Sequence, residues 1–183
     1  MQSFHYPSID STQNQAKRLI DDAKIIDQAC IVASEQTAGR GQYGKSWASP
    51  QGAGIYLSLI QVNGEWSTVN GLEALVASYT VEVAKKVIDV LNEIYQADYY
   101  IKPINDIYYD GAKLAGILVE IYKGYIITGI GINLRNVPRT LKESIVDQPK
   151  APPISLEEIL PDEIFSKLQE QDLINKLLTL TEA

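Results

Sequence analysis

The sequence is poor in the residues that form disulfides and metal centres. Its 183 residues include one cysteine, Cys30, and one histidine, His5. A single cysteine cannot form an internal disulfide, and the apolar run at 29–33 predicts that Cys30 lies in a buried strand. Neither residue has a neighbour that would complete a zinc site, so we predict no metal held by the protein alone.

Basic residues and long apolar runs are also scarce. Lys and Arg number 16 against 23 Asp and Glu, a net charge of −7, which argues against a nucleic-acid partner. No stretch approaches the roughly 20 apolar residues of a membrane span. Residues 1–10 lack the basic and apolar regions of a signal peptide. We therefore expect a cytoplasmic protein with no membrane partner.

The hydrophobic pattern predicts an α+β fold, with a mixed, largely antiparallel sheet flanked by helices. Apolar residues recur at helical spacing over 12–27 and 68–95. Asp110-Gly111 and Lys123-Gly124 mark turns between adjacent strands. Strands are predicted at 29–35, 55–62, 99–102, 107–109, 113–121 and 125–133.

The length favours one main domain. Residues 1–135 form its predicted core, and residues 136–183 are predicted to be a helical C-terminal part of the same domain. In that part, Ser155 and Glu158 fit a capping box that opens helical segments reaching to about residue 180.

A glycine-rich loop lies between two predicted strands. Its spacing, Gly39-x-x-x-x-Gly44-Lys45-Ser46, satisfies the phosphate-binding P-loop pattern. A P-loop runs from a strand into a helix, whereas this loop runs into a strand, which argues against both a P-loop and a dinucleotide fingerprint. Taken alone, it could be a flexible surface loop. It nevertheless suits an anion, because glycines expose backbone N–H groups and Arg40 supplies a fork of donors.

Two later segments add polar chemistry. Lys102, Asn105 and Asp106 lie within five residues of one another. In the last predicted strand, Gly129, Gly131 and Asn133 share one face, which predicts a shallow floor for a flat ligand. Taken alone, the two glycines could instead ease a bulge or close strand packing.

In combination, these segments resemble the biotin protein ligase family, also called holocarboxylase synthetases. The resemblance covers residues 10–135, and its motifs occur in the family's order: Asp10-Ser11-Thr12, Gln36, Gly39-Arg40-Gly41, Trp47, Asn105-Asp106, 113–118 and 129–133. It implies a fold like that of class II aminoacyl-tRNA synthetases. It also implies an enzyme that uses ATP and Mg²⁺ to form biotinyl-5′-AMP and transfers biotin to a lysine of a biotin carboxyl carrier protein.

The resemblance assigns site residues in three sets. The catalytic set is Arg40, Lys102, Asp106 and Lys113. The biotin-binding set is Ser11, Thr12, Gln13, Gln36, Gly39, Arg40, Gly41, Gln42, Lys113 and Gly116. The ATP or adenylate set is Arg40, Trp47, Asn105, Gly131 and Asn133.

Elementary chemistry agrees with these roles. A carboxylate is a poor electrophile, so ATP must convert it to an acyl adenylate. Arg40, Lys102, Lys113 and Mg²⁺ can stabilise the negative charge that gathers in the transition state of this step. An acceptor lysine with a pKa of about 10.4 is protonated at neutral pH. We therefore take Asp106 as the group that orients or deprotonates it.

Two positions depart from the family pattern. Pro103-Ile104 stands where the family usually has Trp-Pro, and proline at 103 removes a backbone donor beside Lys102. Gln42 stands where the family often has arginine, which weakens the electrostatic hold on the loop.

The resemblance also bears on domain organisation and on alternatives. We expect neither an N-terminal helix-turn-helix domain nor a C-terminal barrel, and exposed strand edges suggest a homodimer. Two other functions stay open: a non-catalytic protein that binds biotin or an adenylate, and a ligase for lipoate or octanoate.

Overall fold

The computed structural model describes residues 1–62, 72–135 and 152–181. Within these parts it contains seven strands: β1 (Gln2–Tyr6), β2 (Ala29–Ala33), β3 (Gly54–Val62), β4 (Tyr100–Lys102), β5 (Asp106–Tyr109), β6 (Ala112–Tyr122) and β7 (Tyr125–Asn133). The α-helices there are α1 (Thr12–Asp21), α2 (Leu72–Ile94), α3 (Leu156–Ile159), α4 (Asp162–Phe165) and α5 (Glu170–Leu178).

The strands form one sheet in the order β1-β2-β3-β7-β6-β5-β4. β1 pairs with β2 in parallel, and the other pairings are antiparallel. The predicted turns are confirmed, since Asp110 and Gly111, like Lys123 and Gly124, have positive φ angles. Asp-Gly and other glycine-containing pairs suit such turns because glycine adopts positive φ without strain. The mixed, largely antiparallel sheet is confirmed as well.

Helices cover both faces of the sheet. On one face, Ala16, Leu19 and Ile20 of α1 pack against apolar residues of β2, β3 and β7. On the other face, α2 and α5 enclose the larger apolar core, to which α2 contributes Val83 and Val87. Cys30 is fully buried in β2, as predicted. No helix in the described ranges is long and apolar enough to cross a membrane.

The C-terminal helices share the larger core. Leu156 of α3 and Leu173 of α5 are almost completely buried in it. The backbone N–H of Ser155 donates to the Glu158 carboxylate at 3.0 Å, which confirms the predicted capping box. Just before α3, the N–H of Ile154 donates to the carbonyl of Lys113 at 2.9 Å, so this segment is fastened to β6.

Some predicted boundaries were wrong. β1 was not predicted. α1 ends at Asp21 rather than near 27, because Ala23 takes a positive φ of 53° and the chain turns back on itself. β2 ends at Ala33 rather than at 35. The predicted start of the long helix at 68, and the part of the C-terminal prediction that covers 136–151, lie outside the described residues.

Candidate active site

A cavity of about 570 Å³ opens on the face of the sheet that carries α1. Its walls come from the first turn of α1, the glycine-rich loop, the 102–106 turn, β6 and β7. The predicted residues that line it are Ser11, Thr12, Gln13, Gln36, Arg40, Gly41, Gln42, Trp47, Lys102, Asn105, Asp106, Lys113, Gly116, Gly131 and Asn133. The structure therefore brings together residues from distant parts of the sequence, from Ser11 to Asn133.

Gly39 is the predicted site residue that is not part of this lining. A Cβ atom at Gly39 would lie 2.3 Å from the carbonyl oxygen of Trp47 and 2.8 Å from Ser49 Oγ. The N–H of Trp47 also donates to the Gly39 carbonyl at 2.9 Å. Gly39 therefore allows close backbone packing inside the loop, and its contact with biotin stays a prediction.

The loop itself is a closed hairpin. The N–H of Gly41 donates to the carbonyl of Lys45 at 2.7 Å, and Gln42–Gly44 form one turn of 3-10 helix at the tip. Tyr43 at this tip has a φ of 56° and is 88% exposed. The chain then continues to β3 without an intervening α-helix, so the rejection of a P-loop is confirmed.

One end of the cavity is polar and uncharged. The backbone N–H and the hydroxyl of Thr12 both donate to Gln36 Oε1, at 2.8 and 3.1 Å. Gln13 Nε2 donates to the carbonyl of Leu118 at 2.8 Å. Ser11 Oγ and Gln13 Oε1 are buried with no hydrogen-bond partner among the described residues. Buried polar atoms are seldom left without partners, so these two oxygens keep an unused capacity to accept hydrogen bonds.

The other end is charged. Lys113 Nζ lies 2.7 Å from Asp106 Oδ1, and both side chains are 23% exposed. Lys102 Nζ lies 5.0 Å from the centre of the Tyr108 ring, a cation–π distance. Burial above all, and then the negative charge of Asp106, raises the pKa of the Tyr108 hydroxyl, which therefore stays protonated. The two lysines predicted to be catalytic thus lie in one compartment beside a single carboxylate.

Arg40 lines the same cavity, but its guanidinium points elsewhere. Nη2 of Arg40 lies 3.2 Å from Glu120 Oε1, and Nη1 donates to Asn14 Oδ1 at 3.1 Å. Arg40 is therefore paired with a carboxylate away from the two lysines. Arg40, Lys102 and Lys113 of the predicted catalytic set share this cavity, and the catalytic role of Arg40 stays a prediction.

The glycine floor is covered by side chains of the protein. A Cβ atom at Gly131 would lie 2.7 Å from the Trp47 indole, and one at Gly116 would lie 2.9 Å from it. One at Gly129 would lie 2.7 Å from Gln13 Nε2. The flat group on this floor is therefore Trp47, and the prediction that a ligand lies on the glycines stays a prediction. The buried Nε1 of the indole has no hydrogen-bond partner among the described residues.

Both asparagines of the predicted adenylate set hold the walls of the site together. Asn105 Nδ2 donates to the carbonyl of Ile117 at 3.1 Å. Asn133 Nδ2 donates to the carbonyls of Lys113 and Ile154, at 3.2 and 3.0 Å. The Asn133 amide thus makes two hydrogen bonds to the backbone and the Asn105 amide makes one, and their contact with an adenylate stays a prediction.

Several lining residues were missed in the sequence. Tyr108 lies two residues after Asp106, and the alternation of strand side chains could have indicated that it shares the face of Asp106. Pro153 reaches the cavity because its segment pairs with Lys113, a long-range contact for which the sequence gives no signal.

Residues 6–136 match the model of the Biotin/lipoate A/B protein ligase family. The chain belongs to this family. The resemblance inferred from the motifs is thereby confirmed. The role of each individual site residue stays a prediction.

Curated relatives support the same assignment. The bifunctional ligase/repressor BirA of Escherichia coli is 37% identical over 147 residues, covering 78% of this chain and 43% of that protein. The biotin--[acetyl-CoA-carboxylase] ligase of Mycobacterium tuberculosis is 32% identical over 121 residues, covering 62% of this chain and 42% of that protein. The chain spans less than half the length of these relatives.

Solved structures agree with the fold. The biotin protein ligase of Aquifex aeolicus in complex with biotin and ATP superposes with a TM-score of 0.73 and 28% identity, covering 98% of this chain and 68% of that one. The Leishmania major enzyme in complex with biotinyl-5-AMP gives a TM-score of 0.71 at 22% identity, covering 98% of this chain and 72% of that one; it bears on the fold alone. The α+β fold expected for a biotin ligase is confirmed.

Proposed function

We propose that this chain is an ATP-dependent biotin ligase. The biotin carboxylate attacks the α-phosphate of ATP, forming biotinyl-5′-AMP and releasing pyrophosphate. A lysine of a biotin carboxyl carrier protein then attacks the acyl carbon and releases AMP. The observation that carries the proposal is one cavity with an uncharged polar end and, at its other end, two lysines beside a carboxylate.

The polar end suits the ureido ring of biotin. That ring has two N–H donors and one carbonyl acceptor. Ser11 Oγ and Gln13 Oε1 are buried oxygens without partners among the described residues, and leaving such atoms unpaired costs about 1–3 kcal/mol each. The dithiolane ring of lipoate and the alkyl chain of octanoate have no donors for them. This contrast favours biotin over the acids used by sister ligases.

The charged end suits adenylation. Lys102 and Lys113 can stabilise the negative charge that develops on the α-phosphate, and a partly buried site strengthens that interaction. Magnesium usually binds through substrate phosphates and one or two carboxylates. The described residues contain no group of three or more His, Cys, Asp or Glu that could hold a metal. A Mg²⁺ ion that arrives bound to the phosphates of ATP needs only one or two carboxylates, and Asp106 can supply one.

The second step needs a neutral lysine amine. Asp106 is the carboxylate in the cavity that can accept its proton, with Lys113 as its ion-pair partner. Asp106→Asn removes the proton acceptor and keeps the side-chain shape. Transfer from preformed biotinyl-5′-AMP is then expected to slow roughly 100-fold in single-turnover experiments. Transfer at the unaltered rate would remove Asp106 from this role.

The decisive experiment measures pyrophosphate exchange into ATP with biotin, lipoate or octanoate as the acid. A ligase for biotin exchanges with biotin alone, and labelled biotin then appears on the lysine of an added carrier domain. Exchange with lipoate or octanoate instead would assign the chain to a sister activity. Biotin binding without any exchange would make it a non-catalytic binder.

A further inference from the structure

Arg40 joins the glycine-rich loop to two other elements. Its guanidinium contacts Glu120 of β6 at 3.2 Å and the amide oxygen of Asn14 of α1 at 3.1 Å. Asn14 Nδ2 donates to Asp10 at 2.8 Å, which leaves the amide oxygen facing Arg40. We call Arg40, Asn14 and Glu120 the clasp. It connects the loop, the helix and the sheet through side chains alone.

The clasp lies at the polar end of the cavity. On β6, Glu120 follows Leu118 on the same face, and Leu118 lines the cavity and accepts a hydrogen bond from Gln13. On α1, Asn14 follows directly on Gln13, whose Oε1 has no partner among the described residues. A closed clasp therefore holds the loop backbone at Arg40 and Gly41 over the compartment that we assign to the biotin ring.

A second cation contacts the carboxylate of the clasp. Glu120 accepts from Arg40 and also from Lys17 of α1, at 2.9 Å. Two cations thus share one carboxylate, and the charge of Arg40 is partly neutralised before a phosphate or a carboxylate could approach. Arg40 is 39% exposed and Glu120 is 22% exposed, so solvent can screen their pairing.

We propose that Glu120 is a positioning residue that keeps the loop closed by pairing with Arg40, and that biotin leaves the cavity when this pair opens. The identity of the ligand rests on the proposed function, whereas closure of the loop does not. An ion pair this exposed shifts an equilibrium only roughly 2- to 5-fold. The clasp is thus strong enough to lengthen the residence of a ligand and weak enough to open for each turnover.

Glu120→Gln tests the proposal, because it keeps the side-chain shape and removes the charge. Lys17→Met is the matched control: it removes the other cation bound to Glu120 without touching the loop. The first measurement is hydrogen exchange of the backbone amides of residues 40–46 in the protein alone. We expect exchange to rise roughly 2- to 5-fold in Glu120→Gln and to stay at the wild-type level in Lys17→Met.

The second measurement is the dissociation rate of labelled biotin, chased with unlabelled biotin at low and high salt. We expect Glu120→Gln to release biotin roughly 2- to 5-fold faster and to lose the salt dependence of the wild type. Unchanged loop exchange in Glu120→Gln, or an equal increase in Lys17→Met, overturns the clasp whether or not biotin binds. Faster loop exchange in a protein that binds no biotin supports the clasp and rejects the proposed function.

Discussion

The two faces of β7 carry different kinds of residue and pack against different parts of the protein. On one face, Ile130 and Ile132 are at most 2% exposed and pack in the core beneath α2. On the other, Gly129 and Gly131 leave room for Gln13 and Trp47. Apolar burial on the first face contributes stability, whereas the second accommodates buried polar atoms without partners among the described residues. Alternate residues of the strand therefore serve the apolar core and the proposed ligand site.

The largest effect is expected on the apolar face. Ile132→Ala leaves a cavity beneath α2 and should lower the free energy of unfolding by about 2–5 kcal/mol in urea titrations. The biotin KM of the remaining folded protein should stay at the wild-type value. Val62→Ala at the 51% exposed end of β3 is the control, and it should change stability by less than about 0.5 kcal/mol. Losses of equal size in the two variants would contradict the division of the strand.

A change at Gly131, the residue before Ile132, should lower activity and leave stability nearly unchanged. Gly131→Ala places a Cβ atom 2.7 Å from the Trp47 indole, which must shift. We expect kcat/KM for ATP in pyrophosphate exchange to fall roughly 10- to 100-fold, because small displacements of a positioning group are costly. The free energy of unfolding of Gly131→Ala should change by less than about 1.5 kcal/mol.

Trp47→Ala supplies the control for Gly131→Ala, because it makes room for the added methyl group. If the loss comes from displacement of the indole, Gly131→Ala should have little further effect in the Trp47→Ala background. Additive losses in the double variant would show that the methyl group acts on something other than Trp47.

The sequence predicted the alternation of residues in β7 but not which side chain covers its glycine face. Period-two spacing put Gly129, Gly131 and Asn133 on one face because strand side chains alternate without exception in a regular strand. That Trp47 occupies the floor depends on how the loop folds back, which is a long-range contact. β1 was missed for a similar reason: Gln2–Tyr6 has no continuous apolar run, and parallel pairing with β2 defines it.

The predicted end of α1 was wrong for a local reason. The apolar spacing in α1 continues as far as Ala23, and no glycine or proline marks its end. The helix stops because Ala23 adopts a positive φ, a conformation uncommon outside glycine, asparagine and aspartate. By contrast, the turn at Asp110-Gly111 was predicted correctly, because that pair is among the strongest hairpin signals.

A smaller effect is expected from a buried polar atom on the cavity side. Ser11 precedes α1 at the N-cap position, yet its hydroxyl makes no capping hydrogen bond. Ser11→Ala should therefore leave stability within about 0.5 kcal/mol, unlike the usual loss of a cap. Biotin binding, measured by calorimetry, should weaken roughly 2- to 10-fold through loss of one hydrogen bond. Unchanged affinity would remove Ser11 from the biotin site.

The smallest effect is expected where an unpartnered polar atom lies on the apolar side. The hydroxyl of Tyr99 is buried without a hydrogen-bond partner among the described residues, while its ring lies 5.9 Å from the ring of Tyr109. Tyr99→Phe keeps that ring contact and removes the oxygen. We expect a gain of about 0.5–1 kcal/mol in the free energy of unfolding at pH 8, with unchanged biotin affinity.

The pH dependence of Tyr99→Phe tests the cause. Burial above all, and then the neighbouring tyrosines, raises the pKa of Tyr99 to about 12 from an ordinary value of 10.0. The unfolded chain therefore loses this proton near pH 10, whereas the folded protein keeps it, so wild-type stability falls as the pH rises from 10 to 12. Phenylalanine has no such proton, and the advantage of the variant should grow over this interval. Parallel stability curves would mean that the hydroxyl reaches solvent, and the two sides of the sheet would then treat polar atoms alike.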